Sequence, residues 1–179
     1  MIFTGKLIGE RIYLRSLTAD DATQTYANWL CDPQVNRFLA TKQATQDELR
    51  AYIDKKNSQS DTYFFGIFLS GSDQHIGTIK LEPIDLTNRV ATIAVMIGDK
   101  TCWGKGYNPE AMRLLINFCF QELGLVEMNL GVRGQHLAAI RSYEKLGFRE
   151  VKRELNAIRD GDMLLDQVTM VLKKADFLS

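Results

Sequence analysis

The sequence predicts an α/β fold: a single domain over residues 1–179, built on a mixed, mostly antiparallel sheet flanked by helices on both faces. Three observations predict it. Stretches with strand character alternate with helix-patterned stretches in the order β, α, α, β, β, β, α, β, α, β, β. At 179 residues the chain is long enough for one core and short for two. With 45% apolar and 25% charged residues it has an ordinary globular composition, and 3 prolines with 13 glycines exclude a collagen-like or linker-dominated chain.

Residues 12–17 read as a short strand. Thr18-Ala19-Asp20-Asp21 then opens a helix, with Thr18 as N-cap and two acids in the first turn, where the helix dipole favours negative charge. Ala22, Tyr26, Trp29 and Leu30 continue it at helical spacing, and it stops near Cys31-Asp32-Pro33. A short helical turn follows at 34–39. Thr45-Gln46-Asp47-Glu48 has the pattern of a capping box, so a second helix runs from Thr45 to about Ser58.

The middle is strand-rich. Residues 62–69 contain Tyr63, Phe64, Phe65, Ile67 and Phe68, and a turn at Ser70-Gly71-Ser72-Asp73 leads into a strand at 75–81 that Pro83 ends. A second turn at Asp85-Leu86-Thr87-Asn88 precedes the β-branched, apolar stretch 90–97, expected for an inner strand. These three form an antiparallel meander. A loop at 98–106 feeds a helix over 108–123, with Asn108 as N-cap, Pro109 at the first helical position and Gly124 as stop. Its stripe is Ala111, Leu114, Leu115, Phe118 and Cys119. A strand at 128–132, a helix at 136–146 stopped by Gly147, and two strands at 148–152 and 167–173 close the chain.

Several function classes lose support at once. Lys+Arg 22 against Asp+Glu 22 gives zero net charge, so there is no broad basic field for sequence-independent nucleic-acid binding. No apolar run approaches the roughly 20 residues that cross a bilayer. The start, Met1-Ile2-Phe3-Thr4-Gly5-Lys6, lacks the basic-then-apolar order of a secretion signal, so a cytoplasmic protein is expected. Cys31, Cys102 and Cys119 show no C-x-x-C spacing, and His75 and His136 no H-E-x-x-H pattern, so no metal is expected.

Trp103-Gly104-Lys105-Gly106-Tyr107-Asn108-Pro109-Glu110-Ala111 carries the most chemical information. Glycines permit positive φ and leave no Cβ in the path of a ligand. The helix start that follows offers unpaired N–H groups and the positive end of the dipole, an arrangement suited to a pyrophosphate. The third glycine of a dinucleotide fingerprint is missing, and so is the G-x-x-x-x-G-K-[ST] of a nucleotide P-loop.

A second segment, Val132-Arg133-Gly134-Gln135-His136 through Ala139-Ile140-Arg141-Ser142-Tyr143-Glu144-Lys145-Leu146-Gly147-Phe148, completes a pattern. With Ile97-Gly98-Asp99-Lys100 and the glycine loop, it resembles the GCN5-related N-acetyltransferase superfamily. A softer likeness at Leu14-Arg15-Ser16-Leu17, Asp20-Asp21 and from Trp29-Leu30 to Val35-Asn36-Arg37-Phe38 is similar to the branch of ribosomal-protein N-terminal acetyltransferases.

The resemblance implies acetyl-CoA as co-substrate. It implies that Val95, Met96 and Ile97 pair with the pantetheine arm through backbone groups, and that Trp103, Gly104, Lys105, Gly106, Tyr107 and Asn108 cradle the pyrophosphate. Trp103, Gly106 and Asn108 stand where the family usually has Arg or Gln, Gly, and Gly or Ala. His136 replaces the usual pantetheine-contacting Asn, and Ala139 belongs to the same coenzyme-binding motif. Tyr143 matches the tyrosine near the thioester sulfur, and a phenol of pKa near 10 can protonate a departing thiolate.

An alkylammonium must lose its proton before it attacks. The resemblance implies that Thr92 stands where many relatives carry a carboxylate, so Glu82 and Asp85 are the nearest candidates for the base, with His136 (if it does not bind coenzyme), a water relay or an amine of unusually low pKa as the alternatives. Trp29, Asn36, Arg37 and Glu82 are the candidate acceptor-binding residues. The expected reaction is direct attack in a ternary complex, since no cysteine has an identifiable histidine partner. The expected acceptor is a small-molecule amine such as an amino sugar or amino acid. A protein N-terminal amine, a non-catalytic coenzyme A-binding module and a nucleotide-binding regulator are the alternatives, and the protein is expected to be a monomer or homodimer.

Overall fold

The computed structural model describes residues 1–39, 41–161 and 163–177. Eight strands and four helices follow one another as β1 (Leu7–Ile8), β2 (Ile12–Ser16), α1 (Gln24–Cys31), α2 (Gln46–Ser58), β3 (Tyr63–Leu69), β4 (His75–Asp85), β5 (Val90–Ile97), α3 (Tyr107–Gln121), β6 (Glu127–Arg133), α4 (Leu137–Glu144), β7 (Arg149–Asp160) and β8 (Met163–Lys173). They form one sheet in the order β1-β2-β3-β4-β5-β6-β8-β7. Among the described residues only β5 and β6 run parallel, and every other neighbouring pair is antiparallel. The expected α/β class and mostly antiparallel sheet are what the structure shows.

The period-2 geometry of strands divides the core. In β3, Tyr63, Phe65 and Ile67 face a large cluster with Met112, Leu115 and Cys119 of α3 and Ile140 and Tyr143 of α4. Phe64 and Phe68 face the other way, into a smaller cluster with Tyr26, Trp29 and Leu30 of α1 and Leu49 and Ile53 of α2. Covered on both sides, β3 has no need of a polar face, which explains its unbroken apolar run. The smaller cluster stops at Met96 of β5. Beyond it the same sheet face carries Thr92, Asn129, the exposed Ala94 and the exposed Gly131, so part of that face lies open.

Four local expectations are corrected. The acids after Thr18 close a capping box around a 3-10 turn, Ala19–Asp21, and α1 starts separately with Thr23 as its cap. Asp21 is bound there by Arg15 at 2.7 and 2.8 Å, so its carboxylate fastens the turn to β2. Strand β4 passes through Pro83 to Asp85, because the register shifts between Leu81 and Ile84 and the proline sits in that irregularity. The last two strands extend to a long hairpin, β7–β8. Its added residues are mostly exposed, Leu155, Met163 and Leu164 included, so no buried alternation marks them.

The fourth concerns α3. Gly106, in the left-handed region at φ +83°, occupies the N-cap, and the helix begins at Tyr107. Asn108 is therefore the second helical residue and Pro109 the third, which a proline tolerates because no N–H is required of it there. Among the described helices none is long and apolar enough to cross a membrane.

Candidate functional site

The open face has a cleft at its centre. Strands β5 and β6 pair only at Val90↔Glu127, Ala91↔Met128 and Thr92↔Asn129. Beyond that rung, β5 stays paired with β4 and β6 with β8, but the two no longer pair with each other. The Thr92 hydroxyl and the Asn129 side-chain carbonyl lie 2.6 Å apart at the point of parting. Val95, Met96 and Ile97 lie on the parted edge of β5, half-buried, so their backbone groups are placed to pair with an extended ligand.

The glycine loop follows that edge. Gly104 and Gly106 have φ of +72° and +83°, a region in which a side chain is strained. A Cβ at Gly104 would meet nothing within 4 Å, and one at Gly106 only the Arg11 guanidinium at 3.3 Å. The loop thus opens outward to space. No side chain caps α3, and its first intrahelical bond runs from the Glu110 N–H to the Gly106 carbonyl, so the N–H groups of Tyr107 and Asn108 precede the ladder. Asn108 adds a buried side-chain oxygen with no partner among the described residues. Open glycines and uncapped N–H groups fit the diphosphate end of a coenzyme. Trp103 is 43% exposed and donates its indole N–H to the Ile97 carbonyl at 2.8 Å, which fixes the loop to β5.

Arg11, which sequence reasoning missed, holds the loop from behind. Its guanidinium donates to the Lys105 carbonyl at 2.8 Å and to Glu110 at 2.9 Å, and it lies 4.9 Å from the centre of the Tyr107 ring. The Arg11 backbone N–H also donates to Glu110, at 2.8 Å. These partners stand 94 to 99 positions away in the chain, so no local pattern announces them.

Helix α4 presents two faces. Ala139, Ile140 and Tyr143 are buried against the sheet. The Tyr143 hydroxyl makes no hydrogen bond among the described residues, and burial pushes its pKa up to about 12. It is therefore a phenol that keeps its proton at any physiological pH. His136, at the N-cap, stacks on Phe38 with ring centres 4.1 Å apart. Burial, assisted by the nearby charge of Arg37, lowers its pKa, so the imidazole is neutral.

The acceptor side differs most from expectation. Glu82 lies between Lys56 and Lys80 and bonds both. Burial alone would raise its pKa, but the two lysines outweigh that and hold the carboxyl below the ordinary glutamate range. A general base needs a pKa near the working pH, so Glu82 is badly suited to that role. Asp85 caps the next turn by accepting from Asn88. Trp29 is 7% exposed and packs on Gly98, where a Cβ would come within 2.1 Å of the indole. Asn36 is buried, with its amide donating to the carbonyls of Leu30 at 2.6 Å and Lys42 at 3.0 Å. Trp29 and Asn36 are thus engaged within the fold; of the four expected acceptor residues only Arg37 is exposed and without an ion pair among the described residues.

Two residues on this side were also missed. Arg133, at the end of β6, donates to the carbonyls of Phe38 and Leu39 at 3.1 and 3.2 Å and to Asp160 at 2.8 Å. It ties the segment after α1 to the β7–β8 hairpin. Gln167 lies over Gly131, where a Cβ would come within 2.6 Å of its amide nitrogen. Among the described residues no group of three or more His, Cys, Asp or Glu is arranged to hold a metal.

Comparison with known proteins places the chain. The family model described as an acetyltransferase (GNAT) domain matches residues 11–149. The probable N-acetyltransferase YjcK of Bacillus subtilis (strain 168) is 32% identical over 154 residues, covering 80% of this chain and 83% of that protein. Among solved structures, the spermidine N-acetyltransferase of Vibrio cholerae in complex with CoA and spermine superposes with a TM-score of 0.86 at 20% identity, covering 96% of this chain and all of that one. A structure described as a probable acetyltransferase gives 0.85 at 27% identity, covering 98% and 99%.

Proposed function

The chain belongs to the GNAT acetyltransferase family and is an acetyl-CoA-dependent N-acetyltransferase, and from that premise we propose that it acetylates a small primary amine carrying no cluster of positive charge, by direct attack in a ternary complex. Acetyl-CoA supplies an activated acyl group when bound. The observation that carries the reading is the opening between β5 and β6 beside an uncapped, glycine-led helix start. On this reading Val95, Met96 and Ile97 bind the pantetheine arm. Gly104, Lys105, Gly106, Tyr107 and Asn108 bind the diphosphate through the loop and first helical turn, with Trp103 bracing the loop.

Tyr143 holds the proton that the departing thiolate needs. A group kept neutral by burial and free of competing bonds is suited to give a proton rather than accept one. Direct transfer has support from the cysteines. Cys102 and Cys119 are buried, and burial raises both thiols above their ordinary range, so neither is an available thiolate. The amine proton leaves through water on the open face, because Thr92 cannot accept it and Glu82 is held by its lysines.

The acceptor class follows from charge. Four carboxylates on or beside these strands are engaged: Glu82 by Lys56 and Lys80, Asp160 by Lys42 and Arg133, Asp166 by Arg153, and Glu154 by Lys152. Polyamines need unshared negative charge, whereas Arg37 is an exposed cation without an ion pair among the described residues. An amino acid or amino sugar, with a carboxylate, phosphate or hydroxyls beside its amine, fits that balance better. The test is release of free coenzyme A from acetyl-CoA across a panel of amines. Amino acids and amino sugars should turn over and spermidine should not; preference for spermidine would overturn the acceptor class.

A further inference from the structure

Strand β4 places Lys80 on the open face of the sheet. Its neighbours Ile79 and Leu81 are buried in the large cluster, so alternation turns Lys80 the other way. Phe64, its register partner on β3, faces the smaller cluster on that same side. On its other flank Lys80 pairs with the exposed Ala94 of β5. Ala94 lies two residues beyond Thr92, the last residue of β5 that pairs with β6, so it stands on the lip of the cleft. Lys80 is therefore one strand spacing, about 4.8 Å, behind that lip. Helix α2 stands beside it. Tyr52, 39% exposed, packs edge-on against Phe64 with ring centres 5.7 Å apart, and Lys56 follows one turn later.

The charges here do not balance. Among the described residues Glu82 is the one carboxylate that pairs with Lys56 or Lys80, and it pairs with both. Two ammoniums thus share one negative charge, on side chains only 13% and 21% exposed. Positive charge drawn out of water without a counter-charge is costly. Hydrogen-bonding capacity is unspent as well. An ammonium has three donors. Lys80 gives one to Glu82 and one to the Tyr52 hydroxyl at 3.0 Å, and the third has no partner among the described residues. The Tyr52 oxygen accepts that bond, so its own O–H is left to donate elsewhere. Both ammoniums also lie near the Tyr52 ring, 5.3 and 5.6 Å from its centre, which steadies the group. A spare N–H and a spare O–H next to excess positive charge are the complement of an oxyanion.

We propose that Lys80 and Tyr52 bind an oxyanion carried by the acceptor, a carboxylate or a phosphate, and that this pair selects anionic amines over uncharged and polycationic ones. The inference rests on the acceptor class proposed above and assigns residues to it. Lys56 satisfies Glu82 from the α2 side, so Lys80 has charge to offer towards the open face. Its place one strand behind Ala94 puts that charge within a few bonds' length of an amine at the cleft. A polyamine would instead bring further ammonium groups up to two lysines, where like charges repel.

The test measures kcat and KM, by release of coenzyme A, for two matched pairs of acceptors: serine against serinamide, and glucosamine 6-phosphate against glucosamine. In the wild type the member with the oxyanion should be preferred about tenfold in kcat/KM in at least one pair, the scale of a hydrogen bond to a charged group. The pair that shows it distinguishes carboxylate from phosphate. Lys80→Met keeps the stem and removes the charge, and Glu82 keeps Lys56. It should abolish the preference through a higher KM for the anionic member, with kcat and the KM for acetyl-CoA within about twofold. Tyr52→Phe leaves the lysines in place and should cut the preference about threefold. Lys152→Met, at a lysine paired with Glu154 on β7, should leave it unchanged. A ratio near one in both wild-type pairs overturns the site and leaves the acetyltransferase standing. So does a preference that survives either Lys80→Met or Tyr52→Phe, one that falls equally in Lys152→Met, or a loss of kcat shared by both members of a pair. Spermidine preferred to all four amines, or turnover of none of them, overturns the acceptor class and this site with it.

Discussion

The proposed coenzyme side and the proposed acceptor side of this enzyme are built from different materials. On the proposed coenzyme side the groups on offer are backbone ones: two glycines at positive φ, an uncapped helix start and the edge of a strand released from its neighbour. On the proposed acceptor side they are side chains, and several polar ones are already engaged within the fold: Glu82 with two lysines, Asn36 with two carbonyls, Arg133 with Asp160 and the carbonyls of Phe38 and Leu39. Backbone recognition constrains residue type where it occurs, because only glycine fits cheaply and only certain residues start a helix. Side-chain recognition depends on which distant residues meet, and that is set by the fold.

The largest effect should come from breaking the coenzyme side at its backbone. Gly106→Val places a β-branched residue at φ +83°, a strain of up to about 3 kcal/mol that the loop can relieve only by moving. Coenzyme A affinity by calorimetry should fall by roughly a hundredfold or more. Gly161→Val is the matched control: φ is +61°, a Cβ there would meet nothing within 4 Å, and it lies at the turn between β7 and β8. It should cost stability and leave coenzyme affinity unchanged. Equal losses of affinity in the two would mean that the loop is a turn like any other.

That contrast explains what the sequence made legible. The order of elements, the capping box at Thr45 and the glycine loop could be read locally, since period, caps and turns are short-range. The start of α3 was misjudged by two residues, because Asn108 and Pro109 both look like helix openers while the left-handed Gly106 takes the cap. The long β7–β8 hairpin was half missed, because exposed strands need no apolar alternation. Arg11 and Glu110 could not be matched across 99 positions, and Glu82 read as a free carboxylate because Lys56 lies 26 positions away on α2. Legibility fell where a role depended on a partner.

Tyr143, the proposed proton donor, sharpens the comparison. Tyr143→Phe should lower kcat by about a hundredfold, the lower end of general-acid contributions, with KM for acetyl-CoA within about twofold. The pH profile carries a separate signature. With its pKa pushed up to about 12, Tyr143 remains protonated as pH rises. The wild-type rate should therefore climb as the amine loses its proton and show no alkaline fall up to about pH 10. A descending limb near pH 9 would remove Tyr143 as the proton donor, and so would an unchanged kcat in the variant.

The smallest effect belongs to Glu82, and its smallness is the point. Were it the base, Glu82→Gln would cost a hundredfold or more in kcat. Held by Lys56 and Lys80, it should cost no more than about twofold at neutral pH, measured as coenzyme A release with the preferred amine. Its consequence should appear in stability instead. The two lysines outweigh burial and keep the folded-state pKa below the unfolded value of about 4.3. The wild type therefore has the benefit of this cluster at neutral pH and loses it as pH falls below about 4.3 and through the lower folded value. The variant lacks that benefit throughout, so the gap in Tm between the two proteins should be widest near neutrality and close in acid. A large loss of kcat with no such gap would return Glu82 to catalysis, and with it one legible residue to the acceptor side.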